Sequence, residues 1–130
     1  MRFNTPPGTE DLVEMAEKAL SAIPEPLRRM VRGVAIVVEE APDDETLAEM
    51  GLDNPFELTG LYRGVPLTKK SVLDVPREPD TIFLYREPIL LEWIETGEDL
   101  FRLVRNVVIH EIGHHFGLSD DDIERLEREG

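Results

Sequence analysis

The chain contains no cysteine. That absence excludes thiol catalysis, disulfide cross-links and thiolate metal sites, leaving histidine and the carboxylates as the ordinary metal ligands. Glutamine is also missing, asparagine is scarce, and arginine far outnumbers lysine; with ten prolines, this composition is a hint of a thermophilic source. No apolar run approaches the ~18 residues of a membrane span, stretches such as Val34–Val38 being the longest. The first twenty residues lack a basic segment followed by an apolar one, so no secretion signal is read and a cytoplasmic location is expected. Positive charge is short too: 14 Lys and Arg face 28 Asp and Glu, for a net charge of −14. An acidic surface repels phosphate backbones, which argues against nucleic acid as a partner, as the short apolar runs argue against a membrane.

What is present suits a folded protein. The 130 residues match one domain, 1–130, and 41% hydrophobic with 32% charged residues is a globular balance. A chain of this size buries roughly two-thirds of its unfolded surface, so its core needs no metal to hold it. Thr9–Ile23 reads as a helix with Leu12, Met15, Ala16, Ala19 and Leu20 on one face, broken by Pro24 and Pro26. Glu25–Met30 is a short helix, Gly33–Glu39 a buried β-branched strand, and Asp43–Met50 a helix closed by Gly51. Phe56–Arg63 and Asp80–Arg86 read as strands, the second following the Pro76–Pro79 stretch. Pro88 opens a helix over Ile89–Glu95, and Glu98–Phe116 and Ser119–Glu129 are the last two helices.

All three histidines fall inside HEIGHHFGLSD. His110 and His114 are four residues apart, so on a helix they project from one face and can share one zinc ion. Glu111 leans toward the same space without being a ligand, where it can take a proton from a zinc-bound water. A third ligand must come from elsewhere. Gly117 can reverse the chain beyond the helix and return Asp120 to the metal, giving H-E-x-x-H-x-x-G-x-x-D. Asp121 and Asp122 are alternatives that do not match the spacing. In a chain of this composition H-E-x-x-H arises by chance roughly once in a hundred sequences, and the longer string about once in ten thousand. The competing reading is an amphipathic helix whose histidines merely favour its negative C-terminal end. His115 points about 100° away from His114 and is read as a packing or hydrogen-bonding residue. Tyr62, Tyr85 and Arg86 are candidates to stabilise an oxyanion, against the commoner reading as core or surface contacts.

The string resembles the metzincin zinc signature in the version with an aspartate third ligand. With GLYRGVPLT (60–68), PDTIFLYREPIL (79–90) and VVIHEIGHHFGLSD (107–120), the chain resembles the small bacterial zincin-like metallopeptidases from about Gly33 onward. The resemblance implies zinc held by His110, His114 and Asp120, with Glu111 as the base. It departs from the metzincins in one respect: Met1, Met15, Met30 and Met50 all precede the string, so no methionine turn follows the third ligand.

The expected fold is α+β, a minimal zincin-like arrangement of three or four twisted strands against a long helix carrying the site. The expected function is zinc-dependent hydrolysis of a peptide or protein substrate, laid along an edge strand, for which Phe56–Arg63 is favoured. A non-catalytic zinc-binding adaptor or regulatory module is the alternative, and a zinc amidase is a third reading.

Overall fold

The computed structural model describes residues 5–31, 33–64 and 80–128. Six helices and three strands are present among them: α1 (Thr9–Ala22), α2 (Glu25–Met30), β1 (Ala35–Glu39), α3 (Asp44–Met50), β2 (Gly60–Arg63), β3 (Thr81–Tyr85), α4 (Arg86–Thr96), α5 (Leu100–His115) and α6 (Asp120–Arg128). The protein is α+β with a minimal zincin-like fold, as its sequence leads one to expect.

The strands lie in the order β1-β3-β2, with β1 parallel and β2 antiparallel to β3. β3 is therefore the central strand among the described residues, and its alternation splits the apolar residues between two faces. Ile82 and Leu84 face the main core with residues of α1 and α5. Tyr85 faces the other way, into a small cluster with Leu58 and Leu61.

Three sequence expectations are corrected. Gly33–Glu39 reads as a buried strand, but β1 is an edge strand among the described residues and leaves Val37 exposed. Phe56–Arg63 is half strand: Asn54 accepts the Phe56 N–H, and Pro55–Glu57 forms a turn of 3-10 helix before β2 begins at Gly60. Proline pre-sets a helical φ and lacks the N–H a ladder needs, so the alternating pattern around it does not extend the strand. The helix expected at Ile89–Glu95 begins earlier, directly from β3, with Pro88 in its first turn where no N–H partner is needed. The Pro76–Pro79 stretch, the end of GLYRGVPLT and Glu129 lie outside the described residues.

α5 runs through the centre of the molecule, between α1 and β2, with Val104, Val108, Ile109 and Ile112 fully buried. Asp99 caps its start by accepting the Arg102 N–H at 3.0 Å. At its end Gly117 takes φ +76°. That left-handed residue lets Leu118 N–H reach Gly113 O at 2.8 Å and Gly117 N–H reach His114 O at 3.1 Å, which satisfies the last carbonyls and turns the chain back. Ser119 then caps α6, its hydroxyl accepting the Asp122 N–H.

Candidate metal centre

α6 runs back along α5, and this pairing assembles the site. Ile123, 1% exposed, packs against Gly113 so closely that a Cβ on the glycine would stand 2.6 Å from Ile123 Cγ1. One end of α6 thereby lies beside the histidines. His114 Nε2 stands 3.3 Å from Asp120 Oδ1. Asp122 instead pairs with Arg125 at 2.6 Å, so of these two aspartates it is Asp120 that faces the histidine. His110 and His114 have ring centroids 4.2 Å apart, tilted by 57°. His110 Nδ1 lies 3.5 Å from Glu127 Oε1. The two imidazoles keep 45% and 50% of their side-chain surface exposed, so the face they share is open to solvent.

Glu111 turns the other way, onto β2. A Cβ at Gly60 would meet Val107 Cγ1 at 2.8 Å and Glu111 Cγ at 3.4 Å, so glycine is what allows the strand this close to the helix. The Tyr62 main-chain N–H lies close enough to the Glu111 carboxylate to favour its charged form. Burial raises the Glu111 pKa to about 7, against the opposing pull of His114 and of that Tyr62 N–H. A cleft of about 270 Å³ opens beside it, lined among others by Glu92, Glu98, Asn106, His110 and Glu127.

A family model for zincin-like metallopeptidases matches residues 31–129. The chain belongs to the zincin-like metallopeptidase family. Comparison with curated proteins finds no significant match. Family membership implies zinc as the metal and a peptide or protein as substrate.

In this member of the zincin-like family the candidate donors suit zinc chemically: two imidazoles and a carboxylate. Two ligands of a tetrahedral zinc with bonds of ~2.0–2.1 Å stand about 3.3–3.4 Å apart, and the His114–Asp120 pair has that spacing. A charge-assisted hydrogen bond would be shorter, ~2.7–2.9 Å. Among the described residues, however, no three His, Asp or Glu side chains are already gathered around one point as a bound metal would gather them.

The remaining candidates are placed as follows. His115 stacks on Tyr62, centroids 3.9 Å apart and 20° between planes. The Tyr62 hydroxyl donates to Asp80 at 2.9 Å, and burial together with that carboxylate raises its pKa. Tyr85 lies on the sheet face opposite α5, which removes it from the site. The Arg86 guanidinium donates to the Pro7 carbonyl and pairs with Glu40. Sequence reasoning missed Arg105, Gly113 and Glu127. Arg105 left a signal, a charged residue surrounded on the helix by Val104, Val108 and Ile109, all buried. Glu127 left none, because twelve residues of turn and second helix separate it from His114.

Proposed function

We propose that this protein is a zinc-dependent peptidase in which His110, His114 and Asp120 hold the metal and Glu111 is the general base. One observation carries the reading: a histidine and an aspartate at the mutual spacing of zinc ligands, with the histidine one turn along α5 from a carboxyl group whose pKa is near 7. Zinc, when bound, supplies a Lewis acid that activates water and polarises the scissile carbonyl. Glu111 takes a proton from the attacking water and returns it to the leaving amine, a task best done by a group whose pKa lies near the working pH. Its half-buried position and the Tyr62 N–H hold its carboxyl group in one place.

Among the described residues β2 is an edge strand, which supports a place for the substrate there. Tyr85 N–H donates to Thr59 O at 2.9 Å. By antiparallel alternation the main-chain groups of Gly60 and Tyr62 then point away from β3, toward Glu111. An extended peptide added along that edge would lay its backbone beside the base.

The test uses two variants. Glu111→Gln should keep one zinc per chain and the fold while losing on the order of 10²–10⁴ in peptide hydrolysis. His110→Ala should lose stoichiometric zinc by elemental analysis. Equal cleavage by wild type and Glu111→Gln would refute the base assignment. Zinc bound without cleavage of any member of a diverse peptide library would favour the non-catalytic binding module.

A further inference from the structure

α6 offers a carboxylate to each histidine of α5, but to different nitrogens. Asp120 faces Nε2 of His114, whereas Glu127, seven residues and two helical turns later, faces Nδ1 of His110. Its distance of 3.5 Å lies just beyond the ~2.7–3.2 Å of a formed hydrogen bond, with the carboxylate a quarter exposed against an imidazole.

The placement of Glu127 is itself secured by an unusual expenditure of charge. Arg105 is 7% exposed, the one charged residue in the buried class among the described residues. Its guanidinium donates to the main-chain oxygens of Glu127 at 3.1 Å and Leu126 at 3.4 Å, and to Asn106 Oδ1 at 3.3 Å. Those carbonyls belong to the last turn of α6, where intrahelical partners run out and the helix end is negative. Burying a guanidinium is costly unless such partners compensate it. Arg105 clamps one end of α6 to α5, and the Gly113–Ile123 contact clamps the other.

An imidazole has one proton to share between two nitrogens, and the hydrogen bond at one decides which lone pair is left for a metal. In free histidine the proton prefers Nε2. That form would turn the Nδ1 lone pair toward the Glu127 carboxylate, which is repulsive, and would leave Nε2 unable to bind.

We propose that Glu127, held in register by Arg105, is a positioning residue that keeps the proton of neutral His110 on Nδ1 and so presents Nε2 as the metal-binding nitrogen. The consequence for zinc rests on the reading of His110 as a ligand; the tautomer is a property of the metal-free protein.

The experiment takes the full chain, metal-free and at mildly alkaline pH, and reads the His110 tautomer from long-range ¹H–¹⁵N correlations, with His115 as internal control. Wild type should show His110 protonated on Nδ1. Glu127→Ala should shift it toward the Nε2–H form and leave His115 unchanged, while Glu127→Gln, which keeps an oxygen acceptor, should retain the wild-type tautomer. Zinc competition against a chromophoric chelator should show roughly 10–100-fold weaker binding for Glu127→Ala and recovery of most of that loss in Glu127→Gln. Arg105→Met should move the tautomer in the same direction as Glu127→Ala. An Nε2–H tautomer in wild type, or an unchanged tautomer in Glu127→Ala, would overturn the proposal. So would loss of zinc by both Glu127 variants with the tautomer intact, which would make Glu127 a ligand. The tautomer comparison decides the matter whether or not zinc binds.

Discussion

Glu111 is held by three neighbours that pull in different directions. Burial against β2 favours its neutral form, while His114 and the Tyr62 N–H favour the charged one, and burial prevails with a pKa of about 7 against an ordinary 4.5. A carboxyl group whose pKa rises on folding weakens the fold as pH rises. Below the unfolded value both states are protonated and nothing is lost; between the two values the unfolded chain ionises while the folded one keeps its proton. Above pH 7 the full cost is present, on the order of 3 kcal/mol at 1.36 kcal/mol per unit. Glu111→Gln removes the ionisation and keeps the shape. The metal-free variant should therefore melt higher than metal-free wild type above about pH 8, and at nearly the same temperature below about pH 4. Thermal melts at the two pH values check this, and a gain confined to acid pH would contradict the burial of Glu111.

Among the elements, the α5–α6 pair decides whether there is a site. Gly113 occupies one of the two unspecified positions inside HEIGH, where a sequence motif tolerates any residue, yet the helix pair does not. A methyl group there would stand 2.6 Å from Ile123 Cγ1 and 2.9 Å from its Cδ1. Alanine favours the helix by up to ~1 kcal/mol over glycine, whereas overpacking typically costs ~1–3 kcal/mol, so the clash wins. Gly113→Ala should destabilise the protein by about 1–2 kcal/mol and, by pushing α6 outward, weaken zinc binding as well. Urea unfolding and zinc titration of the same sample test both halves. Unchanged stability with unchanged zinc affinity would show that α6 has room to spare. β2 illustrates the reverse case, an element shorter than its pattern: alternation over Phe56–Arg63 reads as one strand, but Pro55 and the Asn54 cap commit its first half to a helical turn.

For the whole molecule, the core and the proposed centre are separate. The main apolar cluster joins α1, the sheet, α5 and Ile123, and holds the fully buried Leu12, Ile82, Leu84, Val108 and Ile112. The proposed ligands sit at its rim, Asp120 with 88% of its side chain exposed. Zinc bound there would stabilise by mass action and would not build the fold. Chelation should leave the far-ultraviolet circular dichroism spectrum unchanged and lower the melting temperature, by the equivalent of about 2.7 kcal/mol at a free zinc concentration a hundred times the dissociation constant. A coil spectrum after chelation would instead make the metal part of the core.

The amino-acid sequence alone determined what depends on short, fixed spacings. A separation of four residues puts His110 and His114 about one helical turn apart in any protein, Gly117 next to a helix end is where a chain can reverse, and Leu12, Met15, Ala16, Ala19 and Leu20 form one face wherever they lie. The family, the α+β class and the string of candidate ligands were legible for that reason. Tertiary structure decided everything that depends on which surfaces meet. The pleat of the sheet sent Tyr85 of β3 to the face away from α5 and left Tyr62 of β2 beside Glu111. Among the described residues, the sheet order made β1 an edge rather than a buried strand. The return of α6 brought Asp120 to His114 and Glu127 to His110. Local periodicity records the direction of a side chain relative to its own helix or strand; which neighbour waits there is fixed only when the elements pack.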